Sequence, residues 1–188
     1  MSLRTFIAVE LDVPILAGLV RAQGELASVG GKINWVARAN LHVTMNFLGD
    51  VADEAIAEVC RRMAAAAGRV EPFEFAVRGL ACTPSHGPVR MIWGLVDDPS
   101  GLLAVLHDEL ANQFASMGLR QENREYRPHV TLARVKYVEN PARLRGAVRA
   151  FADTEFGAQH GEELVAFTST LTKEGPIYAP LARAGLGK

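Results

Sequence analysis

The segments LHVTMNFLGD (residues 41–50) and RPHVTLARVK (residues 127–136) both contain the triplet His-Val-Thr. The two histidines, His42 and His129, lie 87 positions apart in a chain of 188 residues. Chance, a duplicated structural unit and the two halves of one active site would each explain the recurrence. The residues that flank the triplets separate these explanations, because the similarity extends over most of the chain.

The same order of predicted elements occurs twice. The first half has a strand at 4–11, a helix from Pro14 to Val29, short strands at 33–36 and 41–49, a helix from Asp53 to Gly68 and a strand at 73–83. The second half has a strand at 90–96, a helix after Ser100, a strand at 129–136, a helix at 140–152 and a strand at 162–172. We therefore predict one domain over 1–188 with an internal repeat, approximately 4–85 and 90–175.

The repeat also indicates a fold class. Two units are too few for a solenoid, but two can pack face to face about a pseudo-two-fold axis. Strands joined by turns, beside strands joined by helices, favour mostly antiparallel sheets with helices on their outer faces. We predict an α+β fold made of a bilobal duplicated unit with pseudo-two-fold symmetry, outer helices and an active-site cleft between the lobes.

Composition excludes several classes of protein. Hydrophobic residues make up 49% and charged residues 22%, which is typical of a globular chain. The net charge of −1 argues against coating nucleic acid through a broad basic surface, although it allows a local basic patch. Cys60 and Cys82 form no disulfide framework, and neither a membrane span nor a signal peptide is evident. We predict a soluble cytoplasmic protein with no membrane association and no obligate protein partner.

Strand alternation predicts which side chains of each motif lie together. One face of the first motif carries His42, Thr44 and Asn46, and the opposite face carries Val43, Met45 and Phe47. In the second motif, His129 and Thr131 share a face. Each copy thus presents an imidazole and a hydroxyl, with their Cα atoms about 7 Å apart along the strand.

Paired imidazoles suit in-line displacement at phosphorus. One neutral histidine removes a proton from the nucleophile, and a protonated one donates to the leaving oxygen. The hydroxyls of Thr44 and Thr131 would bind the non-bridging phosphate oxygens. This chemistry requires no metal and no cofactor. A zinc site would need at least three ligands, and the remaining histidines, His86, His107 and His160, have no matched spacing.

The motifs and their flanks resemble a known family. LHVTMNFLGD and RPHVTLARV look like the paired His-x-Thr motifs of the two-histidine phosphoesterases, and the sequence is most similar to the RNA 2′,3′-cyclic phosphodiesterases, also called 2′-5′ RNA ligases. The resemblance runs from RTFIAVEL at the start to EGPIYAPL near the end. It implies a bilobal α+β fold and hydrolysis of a terminal ribose 2′,3′-cyclic phosphate to a 2′-phosphate.

The same resemblance implies roles for the histidines. It makes His42 the proton donor to the leaving 3′-oxygen and His129 the base that activates water, although the residues alone do not distinguish the two. RNA ends are the implied ligands, with weak reverse 2′-5′ ligation. The alternatives are a cyclic phosphate on a small nucleotide or on ADP-ribose, and a non-catalytic RNA-binding module on the same scaffold.

Two residues downstream of the triplets are candidates with a difficulty in common. Arg134 is a candidate phosphate ligand, and Phe47 would stack a base if it lay at the cleft edge. Regular alternation places Arg134 on the face opposite His129 and puts Phe47 in the core. Only a bulge or a reach from a loop would bring Arg134 to the site.

The remaining candidates have structural interpretations. Tyr126 and Arg127 are expected in a solvated loop near an RNA end, and Trp93 is expected to pack in the core. His107 is expected to be exposed on its helix.

Overall fold

The computed structural model describes residues 1–119, 125–173 and 175–188. Four α-helices and nine β-strands are found in these ranges. The strands are β1 (Ser2–Glu10), β2 (Lys32–Trp35), β3 (His42–Ala52), β4 (Phe73–Thr83), β5 (Met91–Asp97), β6 (His129–Tyr137), β7 (Glu155–Gly161), β8 (Glu163–Thr172) and β9 (Gly175–Gly185). The helices are α1 (Val13–Ala27), α2 (Ile56–Ala67), α3 (Leu102–Phe114) and α4 (Pro141–Arg149).

All the strands join one antiparallel sheet. Eight of them follow the order β7-β4-β5-β6-β3-β1-β8-β9, and β2 pairs with β6 beside this path. Outward from the junction of β3 and β6, one direction runs β6, β5, β4 and β7, and the other runs β3, β1, β8 and β9. Each run begins with a strand that carries a His-Val-Thr triplet. The α+β class and the antiparallel architecture with flanking helices are thereby confirmed, in one sheet rather than several. The cleft between lobes stays a prediction.

β4, from the first half of the chain, pairs with a strand from the second half, and β8, from the second half, pairs with a strand from the first. β4 precedes β5 in the chain and pairs with it, for example at Val77 and Val96. β8 returns to the beginning of the chain and pairs with β1, where Thr5 lies opposite Thr168. Each half of the sheet therefore contains strands from both halves of the sequence. The internal repeat itself stays a prediction.

The helices cover one face of the sheet. Ile7 and Val9 of β1 belong to the main core, together with helix residues such as Leu19 and Leu106. Phe6 and Ala8 alternate with them and form a second, smaller cluster on the other face. Burial of each large apolar side chain contributes roughly 1.5–3 kcal/mol, so the helix-covered face supplies most of the apolar stabilisation.

Helices α4 and α2 differ in how they begin. Asn140 accepts a hydrogen bond from the backbone N–H of Arg143 at the start of α4. The prediction that a helix starts at Asp53 is wrong, because this residue begins a short 3₁₀ turn and α2 starts at Ile56. The Asp53 carboxylate instead lies 3.6 Å from the N-terminal ammonium group.

Two edge strands are absent from the sequence-based prediction. β9 contains Pro176 and Pro180, which weaken a strand signal but are tolerated at a sheet edge. β7 contains Gly157 and alternates only over a short stretch. In the three described ranges, no helix combines the length and the apolar character that a membrane crossing requires.

Candidate active site

The two motifs lie on neighbouring strands at the middle of the sheet. Val43 and Val130, the central residues of the two triplets, are cross-strand partners. Extending this register by one residue in each direction sets His42 across from Thr131. Diagonal positions on neighbouring strands are separated by about 7–8 Å, which brings both imidazoles within reach of one phosphate group.

Both histidines are held by the same kind of hydrogen bond. Nδ1 of His42 is 2.8 Å from the carbonyl oxygen of Asn40, and Nδ1 of His129 is 2.7 Å from that of Arg127. A carbonyl oxygen only accepts, so each Nδ1 carries the proton and donates it. Nε2 is therefore the ring nitrogen that exchanges protons in both residues.

The first motif forms an internal contact as well. Nε2 of His42 is 2.9 Å from Oγ1 of Thr44, and the hydroxyl donates when the ring is neutral. Burial lowers the pKa of His42 below its ordinary value of 6.5, while the bond to Asn40 raises it and the nearby charge of His129 lowers it further. The His42 ring is consequently biased toward its neutral form in the free protein.

Aromatic rings fix the orientation of both imidazoles. Phe6 stacks on His42 with ring centroids 5.0 Å apart, and Trp93 stacks on His129 at 3.8 Å. Trp93 is half-buried against the second motif and is not part of the main core, so the expectation that it packs in the core is wrong. Tyr178 of β9 meets His42 edge-on at 5.6 Å. The sequence reasoning missed Tyr178, although the quoted segment EGPIYAPL contains it.

A bulge interrupts each motif strand directly after the triplet. In β3, Ala8 pairs with Thr44 while Ile7 pairs with Asn46, so Met45 is the extra residue. In β6, Trp93 pairs with Thr131 while Ile92 pairs with Ala133, so Leu132 is extra. Each bulge inverts the alternation of the residues that follow it.

Because of this inversion, the predicted faces of Phe47 and Arg134 are wrong. Phe47 is not in the core but is 39% exposed, with its ring 5.9 Å from that of Phe6, which stacks on His42. Arg134 is exposed, and Nη1 lies 3.8 Å from Sδ of Met91. Both side chains emerge on the face that carries the histidines.

The charge of Arg134 acts on Tyr178, the residue that meets His42 edge-on. Burial raises the pKa of Tyr178, and the positive charges of Arg134 and Arg4 lower it. This agrees with the position of Arg134 after the bulge in β6.

His107 is buried and Tyr126 is half-buried beneath the first motif. The Tyr126 hydroxyl donates to the carbonyl oxygen of Thr44 at 3.1 Å, and Nδ1 of His107 donates to that of Met45 at 2.8 Å. Their rings stack at 4.2 Å. Burial raises the pKa of Tyr126 strongly. The solvated-loop interpretation of Tyr126 is therefore wrong, whereas Arg127 lies exposed beside Glu125.

The predicted exposure of His107 is also wrong, since only 8% of the residue is accessible. Its position in α3 is four residues after Leu103 and three before Leu110, which is the spacing of the apolar stripe. The helical period of the apolar residues therefore predicts that His107 is buried. His86 and His160 are exposed, and His160 lies in β7.

A cavity adjoins His42. Its volume is about 480 Å³, which is enough for a group of nucleotide size. Its walls include Leu41, Phe167, Tyr178 and the carboxylates Glu10 and Glu163. Over the ranges that the structure describes, the His, Cys, Asp and Glu side chains form no group of three or more that could hold a metal ion.

Comparison with known proteins connects this chain to a family. The model of the 2′-5′ RNA ligase superfamily matches residues 22–160. An Aeropyrum pernix protein named RNA 2′,3′-cyclic phosphodiesterase is 34% identical over 87% of this chain and 92% of its own length. A Methanothermobacter thermautotrophicus protein of the same name is 32% identical over 96% of this chain and 97% of its own.

Solved structures show the same fold. A Thermus thermophilus protein superposes with a TM-score of 0.84 at 24% identity, covering 98% of each chain. Escherichia coli LigT in complex with 3′-AMP superposes with a TM-score of 0.75 at 24% identity over the full length of both chains.

Proposed function

The chain belongs to the 2′-5′ RNA ligase superfamily, and we propose that it hydrolyses the terminal 2′,3′-cyclic phosphate of RNA to a 2′-phosphate. The observation that carries this proposal is the adjacency of two intact His-Val-Thr triplets at Val43 and Val130, each with its histidine Nδ1 bonded to a carbonyl. The names of the relatives support the same reaction.

The proposed reaction is an in-line displacement by water. Nε2 of His129 removes a proton from water, whose oxygen forms a bond to phosphorus as the bond from phosphorus to the 3′-oxygen breaks. Nε2 of His42 donates its proton to that 3′-oxygen. The products are a 2′-phosphate and a free 3′-hydroxyl. Thr44 and Thr131 donate hydrogen bonds to the non-bridging oxygens, on which negative charge is concentrated.

The low pKa of His42 is compatible with an acid role once substrate binds. An anionic phosphate beside an imidazole favours the protonated ring, opposing the effect of burial. The carbonyl of Asn40 accepts from Nδ1 and stabilises the same charged form. In the free protein His42 is thus held neutral, and the cyclic phosphate itself would promote its protonation.

Two further side chains are proposed to bind the substrate. Arg134 is proposed to pair with the phosphate, because the bulge in β6 turns its exposed side chain toward the histidine face. Phe47 offers an exposed ring that could stack the terminal base beside the reacting phosphate. Both contacts favour an RNA end or a nucleotide as the ligand.

The reaction requires neither a metal nor a cofactor, because the two imidazoles perform both proton transfers. Weak 2′-5′ ligation follows from microscopic reversibility, since the reverse step uses the same groups. The protein acts in the cytoplasm, where its two unpaired cysteines, Cys60 and Cys82, remain reduced.

The test is hydrolysis of an oligonucleotide that ends in a 2′,3′-cyclic phosphate. Purified protein is incubated with it in the presence and absence of EDTA, and the products are separated by their phosphate position. A 2′-phosphate in both samples supports the proposal. A 3′-phosphate would reverse the assigned leaving group, and an unchanged substrate would contradict the activity. The double variant in which His42 and His129 are both alanine controls for contaminating nuclease.

A further inference from the structure

A buried glutamine of α1, a helix remote in sequence from β6, donates a hydrogen bond to the backbone at the bulge in β6. Gln23 of α1 is 8% exposed, and its Nε2 donates to the carbonyl oxygens of Leu132 and Val36, both at 2.9 Å. A primary amide has two N–H groups, and this arrangement uses both. Leu132 is the residue that the pairing of β5 with β6 leaves out.

This contact bears on the direction of Arg134. Leu132 and Ala133 are consecutive and both fully buried, which regular alternation would not allow. The turn of the chain between them returns Arg134 to the face of His129. Without the bulge, Arg134 would point toward the helix-covered core.

We propose that Gln23 is a positioning residue, which holds the bulge at Leu132 so that Arg134 points at the substrate phosphate. The inference rests on the proposed function, because that function gives Arg134 its ligand. Gln23 does not touch the phosphate itself. It acts through the backbone of β6.

The same device occurs in the first motif strand. His107 of α3 donates to the carbonyl of Met45, which is the extra residue of the bulge in β3. A helix on the covered face thus supplies one buried polar side chain to each bulge. Gln23 and His107 are both buried. An apolar residue at either position would pack there and would have no polar group that needs a hydrogen-bond partner. Two independent occurrences indicate a positional requirement rather than incidental burial.

The first test is a double-mutant cycle on hydrolysis of the cyclic phosphate. Gln23→Leu removes both donors, and we expect kcat/KM to fall by about 10-fold to 10²-fold, as for other small displacements of catalytic groups. Arg134→Ala should lower kcat/KM as well. If Gln23 acts through Arg134, the double variant should be no slower than Arg134→Ala alone, within about twofold.

Gln159 provides a matched control. It is 7% exposed, its Oε1 accepts from the backbone N–H of Asp12, and its Nε2 donates to the carbonyl of Glu10. Gln159→Leu therefore disturbs an equally buried amide that has no hydrogen bond to β6. If Gln159 does not act through Arg134, the effects of Gln159→Leu and Arg134→Ala on kcat/KM should be multiplicative in the double variant. Gln23→Met, which also lacks the donors, replaces Gln23→Leu if that variant does not fold.

A second test does not depend on activity. The three tyrosines are labelled with ¹³C at the ring carbon bonded to oxygen, and the Tyr178 resonance is assigned with Tyr178→Phe. Arg134→Ala should raise the pKa of Tyr178, because it removes a nearby positive charge. Gln23→Leu should raise it too, whereas Gln159→Leu should not.

The outcomes separate the two proposals. If the wild-type protein does not hydrolyse the cyclic phosphate, the proposed function fails and the Tyr178 titration still decides where Arg134 points. Multiplicative effects of Gln23→Leu and Arg134→Ala would overturn the positioning role. So would an Arg134→Ala variant of full activity, or a Tyr178 titration that responds to Arg134→Ala but not to Gln23→Leu.

Discussion

Nε2 of His42 lies 2.9 Å from Oγ1 of Thr44, so the proton-exchanging nitrogen and the hydroxyl of the first motif form one hydrogen-bonded pair. The hydroxyl donates to the neutral ring and accepts from the protonated one. A phosphate bound as proposed would compete with this contact. The two side chains would then change partners together.

Removal of either threonine hydroxyl should slow the reaction. Thr44→Ala and Thr131→Ala each delete one donor to the phosphate, and we expect kcat to fall by about 10-fold to 10³-fold, as for a lost oxyanion contact. Single-turnover kinetics measure the change. Thr44→Ser and Thr131→Ser keep the hydroxyl and should retain most of the rate. An alanine variant with wild-type kcat would exclude the donor role for that residue.

Replacement of the histidines should show that they act as a unit. His42→Ala and His129→Ala should each lower kcat by at least about 10²-fold, the usual effect of losing a positioned acid or base. The double variant should lose much less than the product of the two single effects. Circular dichroism confirms that each variant is folded. Near-full activity in both folded single variants would leave the triplets without a catalytic role.

A better leaving group should distinguish the acid from the base. An analogue with a good leaving group in place of the 3′-oxygen needs little protonation, so it should restore the rate of His42→Ala. His129→Ala should remain slow with the same analogue, because water still requires a base. The rates of both variants on the two substrates give the answer. Rescue of His129→Ala instead would exchange the two roles.

The dependence on metal and on pH follows from the imidazole pair. Activity should persist in EDTA, and kcat/KM should give a bell-shaped profile near neutrality. Because burial lowers the pKa of His42, we expect one limb of the profile to lie below pH 6.5. Initial rates in a constant-ionic-strength buffer series measure both limbs. Loss of activity in EDTA that zinc or magnesium restores would refute the metal-free mechanism.

The same pKa makes a prediction about stability. Folded His42 binds a proton more weakly than an unfolded histidine, whose pKa is about 6.5. Below that pH the unfolded state therefore gains protons first, and the free energy of unfolding should fall as the pH decreases. His42→Asn removes this contribution, so its stability should decline less steeply between pH 6.5 and pH 5. Urea denaturation of both proteins measures the difference, and equal slopes would contradict it.

The sequence predicted what depends on short-range pattern. Alternation and capping residues were sufficient to place β4 at Phe73–Thr83 and α1 beside Pro14, and the recurrence of His-Val-Thr identified the strands that meet at the centre. These features depend on a few neighbouring residues, whose preferences are local.

What the sequence could not predict arises where that local regularity breaks. Strand alternation assumes that every second side chain points to the same face. The bulges at Met45 and Leu132 each add one residue, so Phe47 and Arg134 point to the face opposite to the predicted one. The bulges are held by hydrogen bonds from α1 and α3, which are remote in sequence. Tyr178 reaches the site from β9 for a similar reason, since strand order in a sheet is a long-range property.

The pairing of β1 with β8 has a consequence for synthesis of the protein on the ribosome. Thr5 and its partner Thr168 are separated by 163 positions, so Thr5 is translated long before Thr168. Until Thr168 is synthesised, one edge of β1 is unpaired, and pairing it closes a loop of that length. Such non-local contacts make folding slow. We therefore expect the open strand edge of β1 to need protection from aggregation until β8 has been synthesised.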